Sequence, residues 1–139
     1  MANLMTLGER TQKMQALEGR RVRLTIDEPD VFARTGDDVR DGTIRRLLVL
    51  ENDVGAPYEV AIVHMEKPVA YGVHSSDVVS LMTRYAKDRL TRLLSREKIA
   101  VNVVLEDPSL LEADVSDPRM TDKTLGFYLG YGMAVLETI

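Results

Sequence analysis

The sequence predicts an α+β domain, in which a small β-barrel is flanked by an N-terminal helix, an amphipathic helix and a C-terminal antiparallel strand pair. Three observations carry this. The hydrophobic period changes from helical spacing to alternation at Gly19; four strand-like segments separated by Gly, Pro and Asp fall within residues 19–81; and helical spacing returns from residue 76 before a β-branched and glycine-rich final part. The parts are an N-terminal helix over 1–18, a barrel over 19–81, a helix over 82–98 and a β-rich segment over 99–139. A chain of 139 residues holds them in one domain.

The first segment, residues 4–17, places Leu4, Met5, Leu7, Met14 and Leu17 between polar residues, and Gly19 stops it, which suits a short amphipathic helix. From there RRVRLTID alternates Val22, Leu24 and Ile26 against Arg21, Arg23 and Thr25, as a strand with one buried face does. EPDVFARTGDDVRDG, with Pro29, Gly36 and an Asp-rich run, is expected to be a long loop. TIRRLLVLEN follows as an aliphatic strand, then the loop DVGAP, then YEVAIVHM and VAYGVHSS as two strands around EKP. A tight turn at residues 67–70 pairs Ile62 with Ser75 and His64 with Val73, with Pro68 at its second position. His64 and His74 then lie on opposite faces of the hairpin.

A Gly-led second strand (DGTI), a third opening YEV and a fourth running YGVHSSDVVSL resemble SH3-like small β-barrels of the Tudor and KOW type. In that resemblance Gly42 allows the bend where the sheet folds over itself, and Ser75, Ser76 and Asp77 form the turn after strand four. It covers about residues 19–81. Such barrels bind peptides, methylated side chains or nucleic acid, usually through aromatic residues beside the loops. This chain has no Trp, and its barrel region has only Phe32, Tyr58 and Tyr71, so a basic or polar face built on Arg20, Arg21, Arg23, Arg40, Arg45 and Arg46 is the candidate instead.

From residue 76 to 98, SDVVSLMTRYAKDRLTRLLSREK places Val78, Met82, Tyr85, Ala86, Leu90, Leu93 and Leu94 on one broad helical face, with Ser76 or Asp77 as the N-cap. Arg89, Arg92 and Arg96 continue from Tyr85 along one margin, and Arg84 lies further round. Guanidinium forks in a row suit phosphates or an acidic partner surface. The alternative is a solvated margin, with Asp88 paired to Arg92 at i,i+4. Beyond the helix, IAVNVVLED is a strand, residues 109–113 a short helical turn, and LGFYLGYGMAVLETI a strand antiparallel to residues 99–106. Gly126, Gly130 and Gly132 do not make a phosphate loop, because no helix, Lys-Ser/Thr or ribose-binding acid follows them.

Composition narrows the function classes. Hydrophobic residues at 45% and charged residues at 29% describe a globular chain. No apolar run approaches the ~20 residues of a membrane-spanning helix, and the first residues lack the apolar core of a secretory signal. A cytoplasmic location is expected, or a virion for a viral structural component, with no membrane partner. The absence of cysteine excludes a disulfide framework, a thiolate nucleophile and a Cys-containing zinc site. The net charge of −4 is uneven: residues 1–100 carry 16 Lys/Arg against 15 Asp/Glu, and residues 101–139 carry 2 against 7.

The expected chemistry is sparse. His64 with Glu66 supplies two ligands, too few for a closed metal site, and no nucleophile accompanies them as an acid/base pair. The carboxylates Asp27, Glu28, Asp30, Asp37, Asp38 and Asp41 match no calcium-loop spacing. No catalytic residue, metal ligand or cofactor is assigned. The expected function is a non-catalytic binding or assembly module, self-associating or docking on a larger complex, with a structural or adaptor part in a virus-like or multiprotein assembly as one form. The binding candidates are Arg84, Tyr85, Arg89, Arg92 and Arg96 with Arg21, Arg23, Arg45 and Arg46. The self-association candidates are Leu4, Met5, Tyr128 and Tyr131. The second reading is a nucleic-acid-binding barrel using the arginine clusters, and the third an enzyme using His64 and Glu66.

Overall fold

A computed structural model describes residues 12–26, 39–51, 54–71, 74–85, 88–111 and 131–139. Alternating apolar residues make six strands: β1 (Arg21–Ile26), β2 (Val39–Glu51), β3 (Pro57–Tyr71), β4 (His74–Thr83), β5 (Ile99–Leu105) and β6 (Tyr131–Thr138). They follow one another around a closed barrel in chain order, and every seam is antiparallel. β6 closes it, pairing on one side with β5 from Ile99↔Leu136 to Val104↔Tyr131 and on the other with β1 from Val22↔Thr138 to Ile26↔Ala134. The described helical structure amounts to a few residues before β1 and three 3-10 turns, Gln15–Leu17, Leu90–Ser95 and Pro108–Leu111.

The barrel interior is solid. Val22, Leu24 and Ile26 of β1 meet Ile44, Leu47 and Val49 of β2, Ala61, Val63 and Met65 of β3, Val79 and Leu81 of β4, Val101, Val103 and Leu105 of β5, and Ala134 and Leu136 of β6. Met14, Leu17, Leu90 and Leu93 from the first two 3-10 turns and their approach join the same cluster at the end where β1 and β5 begin. Each such side chain contributes roughly 1.5–3 kcal/mol by leaving water. A second cluster sits outside the wall, where Leu48, Leu50, Val60, Ile62 and Val78 pack with Leu110 of the third turn. The β2–β3–β4 wall is therefore apolar on both faces, which is why its sequence shows the near-continuous runs LLVL and AIV rather than clean alternation.

Several expectations are corrected. The predicted helix over 82–98 does not form: residues 74–83 are β4, and among the described residues of that span only Leu90–Ser95 coil, as a 3-10 turn. The stretch SDVVSLMT satisfies helical spacing, but as a strand it buries Val79 and Leu81 inside and Val78 outside, using both faces at once. Ser76 and Asp77 are strand residues, neither a helix cap nor a turn. The barrel is not confined to residues 19–81, because β5 and β6 complete it, and the fold is mostly β rather than α+β in balance. β2 starts at Val39, inside the segment expected to be loop. Of the N-terminal helix, residues 12–14 are helical and lead into the first 3-10 turn, and the rest lies outside the described residues.

The hairpin register also differs. β3 runs straight through EKP to Tyr71, so residues 67–70 are not a turn, and His64 faces Val78 rather than Val73. Between the pairs His64↔Val78 and Val69↔Ser76, four residues of β3 stand against Asp77 alone. This wide bulge takes Pro68, which has no N–H for a ladder. A smaller bulge places the surplus residue Arg45 between Ile44 and Arg46 of β2. The pairing of residues 99–106 with the terminal strand, the loop before β3 and a turn near residues 109–113 stand as expected.

Gly42 is the last residue of β2 paired to β3 before the seam opens, opposite Met65. A Cβ there would lie 2.8 Å from the carbonyl oxygen of His64 and 2.9 Å from Cγ1 of Val63. The backbone oxygen cannot swing aside. Gly42→Ala is expected to destabilise the fold by about 1–3 kcal/mol, through overpacking, read as a lower midpoint of urea unfolding at unchanged slope.

Candidate functional site

With aliphatic side chains filling the barrel, the charged residues of the strands are placed on the outer wall or at its rims. Arg23 on β1 stands opposite Asp41 on β2, and its Nε and Nη2 donate to the two carboxylate oxygens at 2.8 and 3.1 Å. The Arg23 guanidinium holds the Asp41 carboxyl below its usual range, and Asp41 in turn raises Arg23. In the same outer row Arg21 faces Thr43, and Thr43 faces His64. At the β3 bulge Glu66 reaches across to accept a hydrogen bond from Arg21. His64 Nε2 shares a 2.9 Å hydrogen bond with Oδ2 of Asp77, the residue standing against the bulge. His64 and Glu66 thus have separate partners. Val39, Arg40, Asp41, Glu66 and Lys67 line a cleft of about 130 Å³ beside them, well below the ~300–1,000 Å³ of ordinary ligand pockets.

The arginines expected as a row along a helix lie in or beside the 3-10 turn Leu90–Ser95 instead, each with its own surroundings. Arg84 turns onto backbone, donating to the carbonyls of Ala134 at 3.1 Å and Val101 at 3.3 Å. Tyr85 follows at 50% exposure. Arg89 donates to the carbonyl of Asp88 at 2.9 Å and lies 3.8 Å from Oε2 of Glu59. Arg92 bridges Asp88 at 2.8 Å and Glu97 at 2.7 Å, and the bond to Arg92 holds Glu97 below its usual range. Arg96 ends the 3-10 turn, exposed. Arg45 is exposed in the β2 bulge and Arg46 half-buried beside it. Leu4, Met5 and Tyr128 lie outside the described residues, as do the loop acids Asp27, Glu28, Asp30, Asp37 and Asp38. Tyr131 pairs with Val104 through its backbone, and its side chain lies outside what is described. Among the described residues no three His, Asp or Glu converge as a metal site.

Three features were not anticipated. Glu59, 1% exposed, accepts the N–H of Leu90 at 2.7 Å and so caps the second 3-10 turn from the start of β3. Arg20, Leu93, Leu94, Arg96, Thr138 and Ile139 form a cleft of about 70 Å³ at the same end of the barrel. Glu106, 2% exposed at the exit of β5, receives the hydroxyl of Ser80 at 2.9 Å on Oε2, while Ser76 donates to its carbonyl at 2.6 Å. The signal for this last network was the pair of serines four apart in the apolar run of β4. Asp107 next to it accepts the N–H of Ser109 at 2.9 Å and starts the third 3-10 turn. Comparison with protein-family models, curated proteins and solved structures finds no match to this chain.

Burial pushes the Glu106 carboxyl from 4.5 up to about 7, against a smaller lowering by Ser80. The folded chain therefore holds this proton more tightly than the unfolded chain. The resulting stabilisation is complete below about pH 4.5 and is lost as pH rises through about 7. Glu106→Gln keeps an acceptor for Ser80 without the ionisation. Its thermal midpoint is expected to match wild type at low pH and to exceed it above pH 7, in paired melts across that range.

Proposed function

We propose that this chain is a non-catalytic binding and assembly module that self-associates or docks on a larger complex, in the concrete form of a structural or adaptor component of a virus-like or multiprotein assembly. The observation that carries the reading is the filled interior. A small barrel packed with aliphatic side chains works through its outer surface. That surface presents Tyr85, Leu94 and Ile139 at 41–50% exposure, together with exposed arginines. The finer likeness to SH3-like barrels of the Tudor and KOW type agrees with it, since such barrels bind through their rims.

Nucleic acid is the second candidate partner, favoured by the exposed guanidinium groups of Arg20, Arg45 and Arg96. Protein leads because Arg21, Arg23 and Arg92 already face carboxylates. Size-exclusion chromatography with light scattering at micromolar concentration is expected to give a mass above that of one chain, or a pull-down to retain a stoichiometric protein. A strict monomer with no partner overturns the reading. Oligonucleotide binding that falls steeply with salt would transfer it to nucleic acid.

A further inference from the structure

We infer that the cleft between the 3-10 turn Leu90–Ser95 and the end of β6 is a docking site for an acidic segment of a partner protein, one carrying an aliphatic side chain between carboxylates. The inference rests on the reading of the chain as a binding module and names its surface. Arg20, just before β1, and Arg96, just after the turn, both border the cleft. Neither guanidinium has a hydrogen bond or ion pair among the described residues, although Arg21, Arg23 and Arg92 nearby in sequence each have one. Lys98, two residues on, sits 3.8 Å from Glu137. Two positive charges are thus left for an outside anion, and planar guanidinium forks match carboxylates.

The cleft wall explains why the anion should come with an aliphatic group. Leu94 and Ile139 are 41% and 48% exposed at its sides, over buried Leu93. About 70 Å³ is room for one side chain rather than a small-molecule ligand. Among the described residues no aromatic lines it, so these offer bases nothing to stack on, which favours peptide over nucleic acid. The geometry is held from several directions. Thr138 Oγ1 donates to the carbonyl of Leu93 at 3.3 Å, and the Ile139 N–H to that of Arg21 at 3.1 Å. Arg96 holds φ 59°, a left-handed turn end where glycine is usual, so a strained backbone presents this charge to the cleft.

The test is an NMR titration of the 15N-labelled full chain with a short synthetic peptide of Asp and Glu around one central Leu. Amide shifts are expected at Leu93, Leu94, Arg96, Thr138 and Ile139. Arg20→Glu with Arg96→Glu should weaken binding at least tenfold, as should Leu→Ala in the peptide. Arg45→Glu with Lys67→Glu, an equal charge change on the outer wall away from the residues that line the cleft, should leave it unaltered. Arg20→Ala with Arg96→Ala provides a second variant, and unchanged thermal melts verify folding of both. Shifts elsewhere, binding indifferent to both double variants, or the same shifts produced more tightly by oligo-dT each overturn the assignment. Self-association or partner retention equal in wild type and the Arg20→Glu, Arg96→Glu variant overturns the cleft while leaving the binding-module reading standing.

Discussion

Closure by β6 is the constraint on which the other features depend. Inserted between β5 and β1, it satisfies the backbone groups of both and removes the edges that a meander would otherwise expose. It also gathers distant parts of the chain. Arg20 before β1, Leu93 to Arg96 before β5, and Thr138 and Ile139 at the end of β6 become neighbours only because the last strand returns to the first. The terminal strand is paired on both sides. Strand addition along β6 is closed, which directs the proposed association to side chains on the wall or rim.

The two bulges decide how the outer wall is charged. At the β3 bulge, four residues against one let Glu66 leave the β4 ladder and meet Arg21, while Asp77 is left to His64. These are exposed or half-exposed contacts, screened by solvent, so they specify arrangement more than they stabilise. The buried polar groups carry the larger electrostatic stakes. Glu59 ties the second 3-10 turn to β3, and Glu106 ties the exit of β5 to β4 through Ser80 and Ser76. Glu59 lies near the start of β3 and Glu106 just past the end of β5, so both carboxyls sit at strand ends, where backbone donors or hydroxyls meet them.

Much of the strand content was legible because its apolar period is short-range information. Val22, Leu24 and Ile26 alternate, and β5 shows a β-branched run of the right length. The segment from 76 to 98 was misleading for a physical reason. Val78 to Met82 fit a helical stripe and a strand buried on both faces equally well, and only the presence of β3 and β5 on either side selects the strand. The arginine row was drawn on 3.6-residue periodicity, whereas Leu90–Ser95 coil as a 3-10 turn. The hairpin failed differently: a Pro in EKP signals a turn or a bulge, and local sequence does not choose between them.

By itself the sequence determined a cysteine-free globular chain, acidic in its final part, with β-rich segments between Gly, Pro and Asp breaks. These follow from composition and nearest-neighbour periodicity. Tertiary structure decided which strand face turns inward, where β3 bulges, and that β6 closes onto β1. It decided which arginines find carboxylates and which are left bordering a cleft. Each of these depends on pairing between residues far apart in the chain, whose energy is gained only when the barrel is assembled.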